Sequence, residues 1–322
     1  MSQDPGRFAV GFDIGGTNMR AGLISGSGEI IRQVSAPTPA TAGELDSGIV
    51  ELVRALGEDH PIDAVGMAVA GFLDPACETV RFAPHLPWRD APVRAHLEGL
   101  LGLPVRLEHD ANSAAWGEYR FGGAQGADNW VLLAIGTGIG AALIVDGEIY
   151  RGAHGTAPEF GHLRVVPDGR PCPCGKSGCL ERYCSGTALV DSALEFSTRG
   201  GFGDSVLLEA IRRDPTGLKG DMITRAARDR DPLGVAVMED FSLWLGECLS
   251  MVADVLDPEL IVIGGGVSRD ADIYLETAVA HFAGRIVGAG YRPLARVGTA
   301  QLGADAGMIG VADLARQAVA AP

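Results

Sequence analysis

Two stretches of this chain are versions of one design. Residues 14–30, IGGTNMRAGLISGSGEI, align with residues 135–149, IGTGIGAALIVDGEI, once two short gaps are allowed. Each copy enters a glycine-rich turn from an apolar run, returns through small and β-branched residues, and turns again. Runs joined in this way read as antiparallel strands. Around the first copy, FAVGFDIGG at 8–16, MRAGLIS and IIRQVSA predict three such strands. The repeat predicts two related halves.

That pattern excludes two nucleotide folds. A dinucleotide fingerprint requires strand, glycine turn and then helix, whereas both turns here lead into a second strand. The P-loop pattern G-x-x-x-x-G-K-[ST] does not occur.

Between and after the copies the periodicity alternates. A helix is expected near 44–57, a buried strand at AVGMAVAG (64–71), and a strand then a helix in LPVRLEHDANSAAWGEYRFG, with Asp110 as the expected N-cap. Residues 236–257 place Phe241, Leu245, Leu249, Val252 and Leu256 on one helical face, ended by Pro258. LIVIGGGVS at 260–268 is an apolar strand running into a triple glycine. Alternating strands and helices predict an α/β fold.

The length, 322 residues, suits two domains, and 47% apolar content suits a globular core. A net charge of -15 disfavours a nucleic-acid partner, which needs a broad Lys/Arg surface. The N-terminal MSQDPGRFAV shows no basic, then apolar, leader pattern, and no apolar run reaches membrane-spanning length. A soluble cytoplasmic protein without a membrane partner is expected.

Three glycine turns at strand ends, Gly15-Gly16-Thr17, Gly136-Thr137-Gly138 and Gly264-Gly265-Gly266, suit close backbone approach to a polyanion. Taken singly, each is also ordinary turn punctuation. DIGGTN (Asp13 to Asn18), IGTGIGAA and IVIGGGVS resemble the two phosphate motifs and the adenosine motif of the sugar kinase, heat-shock protein and actin superfamily. The resemblance implies a two-domain actin-like, ribonuclease H-like ATPase fold with nucleotide and sugar in an interdomain cleft. A smaller domain would comprise 1–116 plus about 303–322, and a larger one 117–302 would carry the adenosine motif. It also implies that Asp13 orients a magnesium ion bound with ATP; outside the resemblance, Asp13 reads as a turn-capping carboxylate.

Phosphoryl transfer to an alcohol needs positioning, charge stabilisation and one base. Asp110, where a strand hands over to a helix, is the candidate base, a role compatible with capping. Its segment, EHDANSAAW, is similar to that of the ROK sugar kinases (repressors, open reading frames and kinases), in which an Asn-Asp-Ala-Asn run carries the base and the first Asn binds sugar. Here His109 replaces that Asn, and an imidazole cannot both donate and accept in amide geometry.

GHLRVVPDGRPCPCGKSGCLERY at 161–183 supplies His162, Cys172, Cys174 and Cys179, a ligand set for a closed tetrahedral zinc site. A disulfide or inert thiols are the alternatives; Cys-x-Cys closes poorly on itself, and a reducing compartment disfavours the bond. Cys77, Cys184 and Cys248 read as small apolar residues. The segment matches the ROK signature E-x-G-H, then C-x-C-G-x-x-G-C-x-E. In that family zinc shapes a sugar-receiving loop, so the resemblance implies that Glu159, His162 and Glu181 touch sugar hydroxyls, with backbone contacts from Gly71.

The implied activity is transfer of the ATP γ-phosphate to the 6-hydroxyl of D-glucose. Alternatives are another hexose (N-acetylglucosamine, N-acetylmannosamine, mannose or fructose), polyphosphate as donor, and a non-catalytic sugar-sensing regulator, which the twelve residues before Asp13 leave little room for. The family's habit implies a homodimer or homotetramer.

Overall fold

The computed structural model describes residues 7–320. Met1–Gly6, part of the stretch read for a leader, and Ala321–Pro322 lie outside the described residues. The described residues form two compact units, one of residues 7–129, 142–158 and 300–320, the other of 130–141 and 159–299.

The first unit opens with β1 (Phe8–Ile14), β2 (Asn18–Ile24) and β3 (Ile30–Pro37), the antiparallel meander expected from the first repeat. It continues through α1 (Ala42–Leu56) and β4 (Ile62–Val69). A small antiparallel sheet follows, made of β5 (Phe72–Leu73), β6 (Val80–Phe82) and β7 (Arg89–Ala91), and then come α2 (Val93–Leu101), β8 (Val105–His109) and α3 (Asp110–Phe121). The main sheet has the order β3-β2-β1-β4-β8, with β4 parallel to both β1 and β8. Helix α1 starts at a side-chain N-cap: the Thr41 hydroxyl accepts from the Glu44 N–H at 3.4 Å and donates to the Glu44 carboxylate at 2.6 Å.

Next come β9 (Trp130–Ile135), β10 (Ile139–Val145) and β11 (Glu148–Tyr150), then α4 (Gly186–Ser197), α5 (Val206–Arg213), α6 (Gly220–Arg228) and α7 (Pro232–Leu256). The chain finishes with β12 (Leu260–Gly264), α8 (Leu275–Arg285), β13 (Arg296–Thr299) and α9 (Ala306–Ala320). The second sheet, β11-β10-β9-β12-β13, repeats the first position for position, with β12 parallel to its neighbours. The two related halves are therefore real. Helix α7 begins four residues before the expected 236, because Pro232 suits a first helical turn and Asp231 caps the Leu233 and Gly234 N–H groups at 3.0 Å.

Central strand β1 is covered on both faces, so its side chains do not alternate between core and solvent. Val10, Phe12 and Ile14 join the core against Leu45, Ile49 and Val53 of α1, while Ala9 meets Met308, Ile309 and Ala312 of α9. Helix α9 comes this close because glycines stand at its contacts, Gly66 on β4 and Gly310 on the helix itself. A Cβ on Gly66 would stand 2.2 Å from the Val311 carbonyl oxygen, and one on Gly310 would stand 1.9 Å from that of Ser113 in α3. Neither oxygen can turn aside as a side chain could. Gly310→Ala is therefore expected to destabilise the protein by about 1–3 kcal/mol or more through overpacking, read as a lowered Tm; an unchanged Tm would contradict the close helix crossing.

Candidate active site and metal centre

Asp110 is the first residue of α3, and the N-cap is His109, which makes no side-chain capping bond. The expected capping role thus moves back by one residue. Asp110 keeps a local bond instead: its Oδ1 accepts the Ala111 N–H at 2.7 Å. His109 Nε2 stands 3.3 Å from the same oxygen. With Oδ1 engaged, Oδ2 is the oxygen placed to take a proton, and the carboxylate is 44% exposed and so open to a ligand.

Asp13 lies one residue before the end of β1, opposite Arg20 on β2. Burial, and then the neighbouring charge of Asp110, push its carboxyl above the ordinary value; Arg20 opposes them. Two carboxylates that repel each other at one strand end are hard oxygen donors of the kind a magnesium ion favours. Beside them the first turn is pinned from behind: Thr38 donates from its N–H to the Thr17 carbonyl at 2.9 Å and from its hydroxyl to the Gly15 carbonyl at 2.6 Å. Gly16, Thr17 and Asn18 remain exposed.

The second turn is held in the same style by α4. The Gly186 N–H donates to the Gly136 carbonyl at 2.7 Å, and the Thr187 hydroxyl donates to that of Thr137 at 2.8 Å. Carbonyls are thereby consumed, leaving Thr137 exposed. At the third turn, Gly264 closes β12 and Gly265 takes φ 77°, where a Cβ would meet the Ile135 carbonyl oxygen at 2.4 Å; Gly266 faces open space. Gly71 is different. A Cβ there would meet the Phe82 carbonyl oxygen at 2.7 Å, so packing by itself already requires glycine.

The cysteine segment forms one cluster. The ligand atoms of His162, Cys172, Cys174 and Cys179 all lie within 4.8 Å of one another, and all the cysteines are free thiols. Cys172 Sγ stands 3.7 Å from His162 Nδ1, and Cys174 Sγ stands 3.6 Å from Cys179 Sγ. Ligands at about 2.0–2.3 Å from a tetrahedral zinc ion are roughly 3.5–3.8 Å apart, so the set fits that ion. Of the His162 nitrogens, Nδ1 is the one facing a thiol, while Nε2 stands 4.0 Å from a Glu159 oxygen. Glu181 is close as well, its Oε1 being 3.6 Å from His162 Nδ1 and 3.2 Å from Cys172 Sγ. A Cβ on Gly138 would meet Glu181 Oε2 at 2.6 Å, which ties the second turn to this cluster.

Sequence patterning missed Glu108 and Arg151. In VRLEH, alternation sends Val105 and Leu107 inward and Glu108 outward, yet Glu108 is fully buried because β8 is covered on both faces. Arg151 Nε donates to both Glu108 oxygens, at 3.2 and 3.1 Å. Burial would raise the Glu108 carboxyl, but the bonds and charge of Arg151, with Asn112 and Arg106, outweigh it and hold the group below its ordinary range. A glutamate two residues before the candidate base, on a strand that leads directly into it, was the available signal.

Two α/β sheets of one topology, with glycine turns at corresponding strand ends, define the actin-like ATPase fold of the sugar kinases. The ROK family model matches residues 9–318, and the chain belongs to the ROK family. A glucokinase of Streptomyces coelicolor is 40% identical over 308 residues, 96% of this chain and 97% of that protein. Among solved structures, a ROK family glucokinase from Streptomyces griseus in complex with glucose and AMPPNP has a TM-score of 0.83 at 41% identity, covering 96% of this chain and 99% of that one. A ROK hexokinase from Thermus thermophilus has a TM-score of 0.81 at 30% identity, covering 97% and 99% respectively. No described helix is long and apolar enough to cross a membrane.

Proposed function

We propose that this protein is an ATP-dependent glucokinase that transfers the γ-phosphate to the 6-hydroxyl of D-glucose. Likeness to the Streptomyces coelicolor glucokinase over 96% of the chain is the observation that carries the choice of sugar. Asp110 Oδ2 accepts the 6-hydroxyl proton as that oxygen attacks the γ-phosphorus and ADP leaves. The exposed backbone and hydroxyls of Gly16, Thr17, Asn18 and Thr137 hold phosphate oxygens, and Gly264, Gly265 and Gly266 admit the adenosine. Glu159 and Glu181 accept hydrogen bonds from vicinal sugar hydroxyls, while His162 Nε2–H donates one; His109 and the Gly71 backbone complete the sugar contacts.

Asp13 would help orient a magnesium ion bound with ATP, which would supply charge neutralisation at the phosphates. Zinc on His162, Cys172, Cys174 and Cys179 is structural and fixes the His162 ring. The assembly is a homodimer or homotetramer, which light scattering on the eluted protein measures.

A coupled assay over glucose, mannose, fructose, N-acetylglucosamine and N-acetylmannosamine tests the reading, with either ATP and magnesium or polyphosphate as donor. Glucose with ATP is expected to give the highest kcat/KM. A different preferred sugar would reassign the substrate, and no turnover with any hexose would sink the enzyme. A putative xylose repressor of Caldicellulosiruptor is 30% identical over 83% of this chain and 68% of that protein, so sugar binding without turnover would favour a regulator.

A further inference from the structure

We propose that Glu108, locked by Arg151, is a positioning residue for phosphoryl transfer: it holds the backbone before Asp110 and a side chain of the first helical turn after it, and so aims the base. The inference rests on the kinase reading above.

Three observations carry it. First, Glu108 touches both flanks of Asp110 at once. Its Oε1 accepts the backbone N–H of His109 at 3.1 Å and the side-chain amide of Asn112 at 3.0 Å. One carboxylate oxygen therefore holds the strand end before the base and the first helical turn after it.

Second, that carboxylate cannot turn. Arg151 Nε lies 3.1–3.2 Å from both oxygens, Arg151 Nη2 reaches Oε2 at 2.5 Å, and Arg106 Nη2 stands 3.3 Å from Oε2. The Cys77 thiol closes the pocket, 3.9 Å from Oε1. With the side chain fully buried, no water competes for these bonds.

Third, the ordinary device for fixing a helix start is missing here. His109 occupies the N-cap position without a side-chain bond to the first turn, and Asp110 spends Oδ1 on its own neighbour. The orientation of Asp110 is thus set from below, by a residue wholly buried beneath it. A buried ion pair is a poor way to gain stability, because desolvation cancels most of its attraction. A requirement for one backbone geometry gives it a reason to be there.

Misplacing a reacting group by about 1 Å can cost roughly a hundredfold in rate. Glu108→Gln is accordingly expected to lower kcat for glucose by about ten- to a hundredfold, with KM for glucose changed by less than about threefold. The discriminating measurement is a cycle with Asp110→Asn. If Glu108 acts through the base, Glu108→Gln added to Asp110→Asn should change the residual kcat by less than about threefold.

Full multiplicative losses in the double variant would overturn the proposal, as would a normal kcat accompanied only by a lowered Tm. Should Glu108→Gln fail to fold, Arg151→Lys and Asn112→Ala keep the carboxylate and loosen its grip. The same kcat loss and the same non-additivity are expected of each, and additive or absent effects in both would refute the idea. Failure of the kinase reading looks different, since wild-type protein would then turn over no hexose.

Discussion

Asp110→Asn is expected to lower kcat by at least about a hundredfold, the usual scale for a lost general base, while KM for glucose moves little. The substitution changes one atom, and the surroundings predict that the rest stays in place. Oδ1, which accepts the Ala111 N–H at 2.7 Å, is retained, and α3 keeps its first residue. What disappears is the capacity of the second atom to accept a proton. An amide nitrogen has no lone pair available for that role. Steady-state kinetics with glucose and ATP separate the parameters: a near-normal kcat would remove Asp110 from the base role, and a raised KM with an unchanged kcat would make it a sugar ligand only.

Removal of a zinc ligand is expected to do the opposite. Metal analysis of the wild-type protein should find one zinc per chain, and Cys174→Ser or Cys179→Ser should abolish it. The loop between His162 and Cys179 is otherwise held by backbone bonds, among them Val165 N–H to Gly178 O and Cys172 N–H to Lys176 O, both 2.8 Å, and by Arg170, which donates to the Arg182 carbonyl at 2.8 Å, but none of these bonds reaches the His162 ring. Short bonds on an exposed segment do not fix a side chain against solvent. Without the ion, His162 loses the partner that sets its ring. KM for glucose should rise at least about tenfold, with a smaller change in kcat because Asp110 is untouched. Protein that is metal-free and fully active would dispose of the zinc site. Taken together the two variants divide the chemistry, one reporting on proton transfer and the other on the grip on sugar.

Much of this organisation is written locally. The strand-turn-strand repeat fixed the class and the paired sheets, because a hairpin is decided by its glycines and by alternation over a few residues. The zinc set was legible for a similar reason: His162, Cys172, Cys174 and Cys179 come from one loop, so spacing alone brings them together. The start of α3 was misread by one residue, since aspartate is a strong N-cap type and its preference there is outweighed when the strand runs through His109 into the helix.

What the sequence by itself determined, then, is everything carried by short-range pattern: an α/β chain of two like halves, its glycine turns, and a compact metal loop. Only the tertiary structure decided which partners meet across long separations. The charge of Asp110, 97 positions away, helps burial to raise the Asp13 carboxyl above its ordinary value. Arg151 crosses 43 positions to neutralise Glu108 inside a strand that patterning turns outward. Burial of both sheet faces made that glutamate costly to leave unpaired, and neither burial nor partner is encoded in the residues beside it.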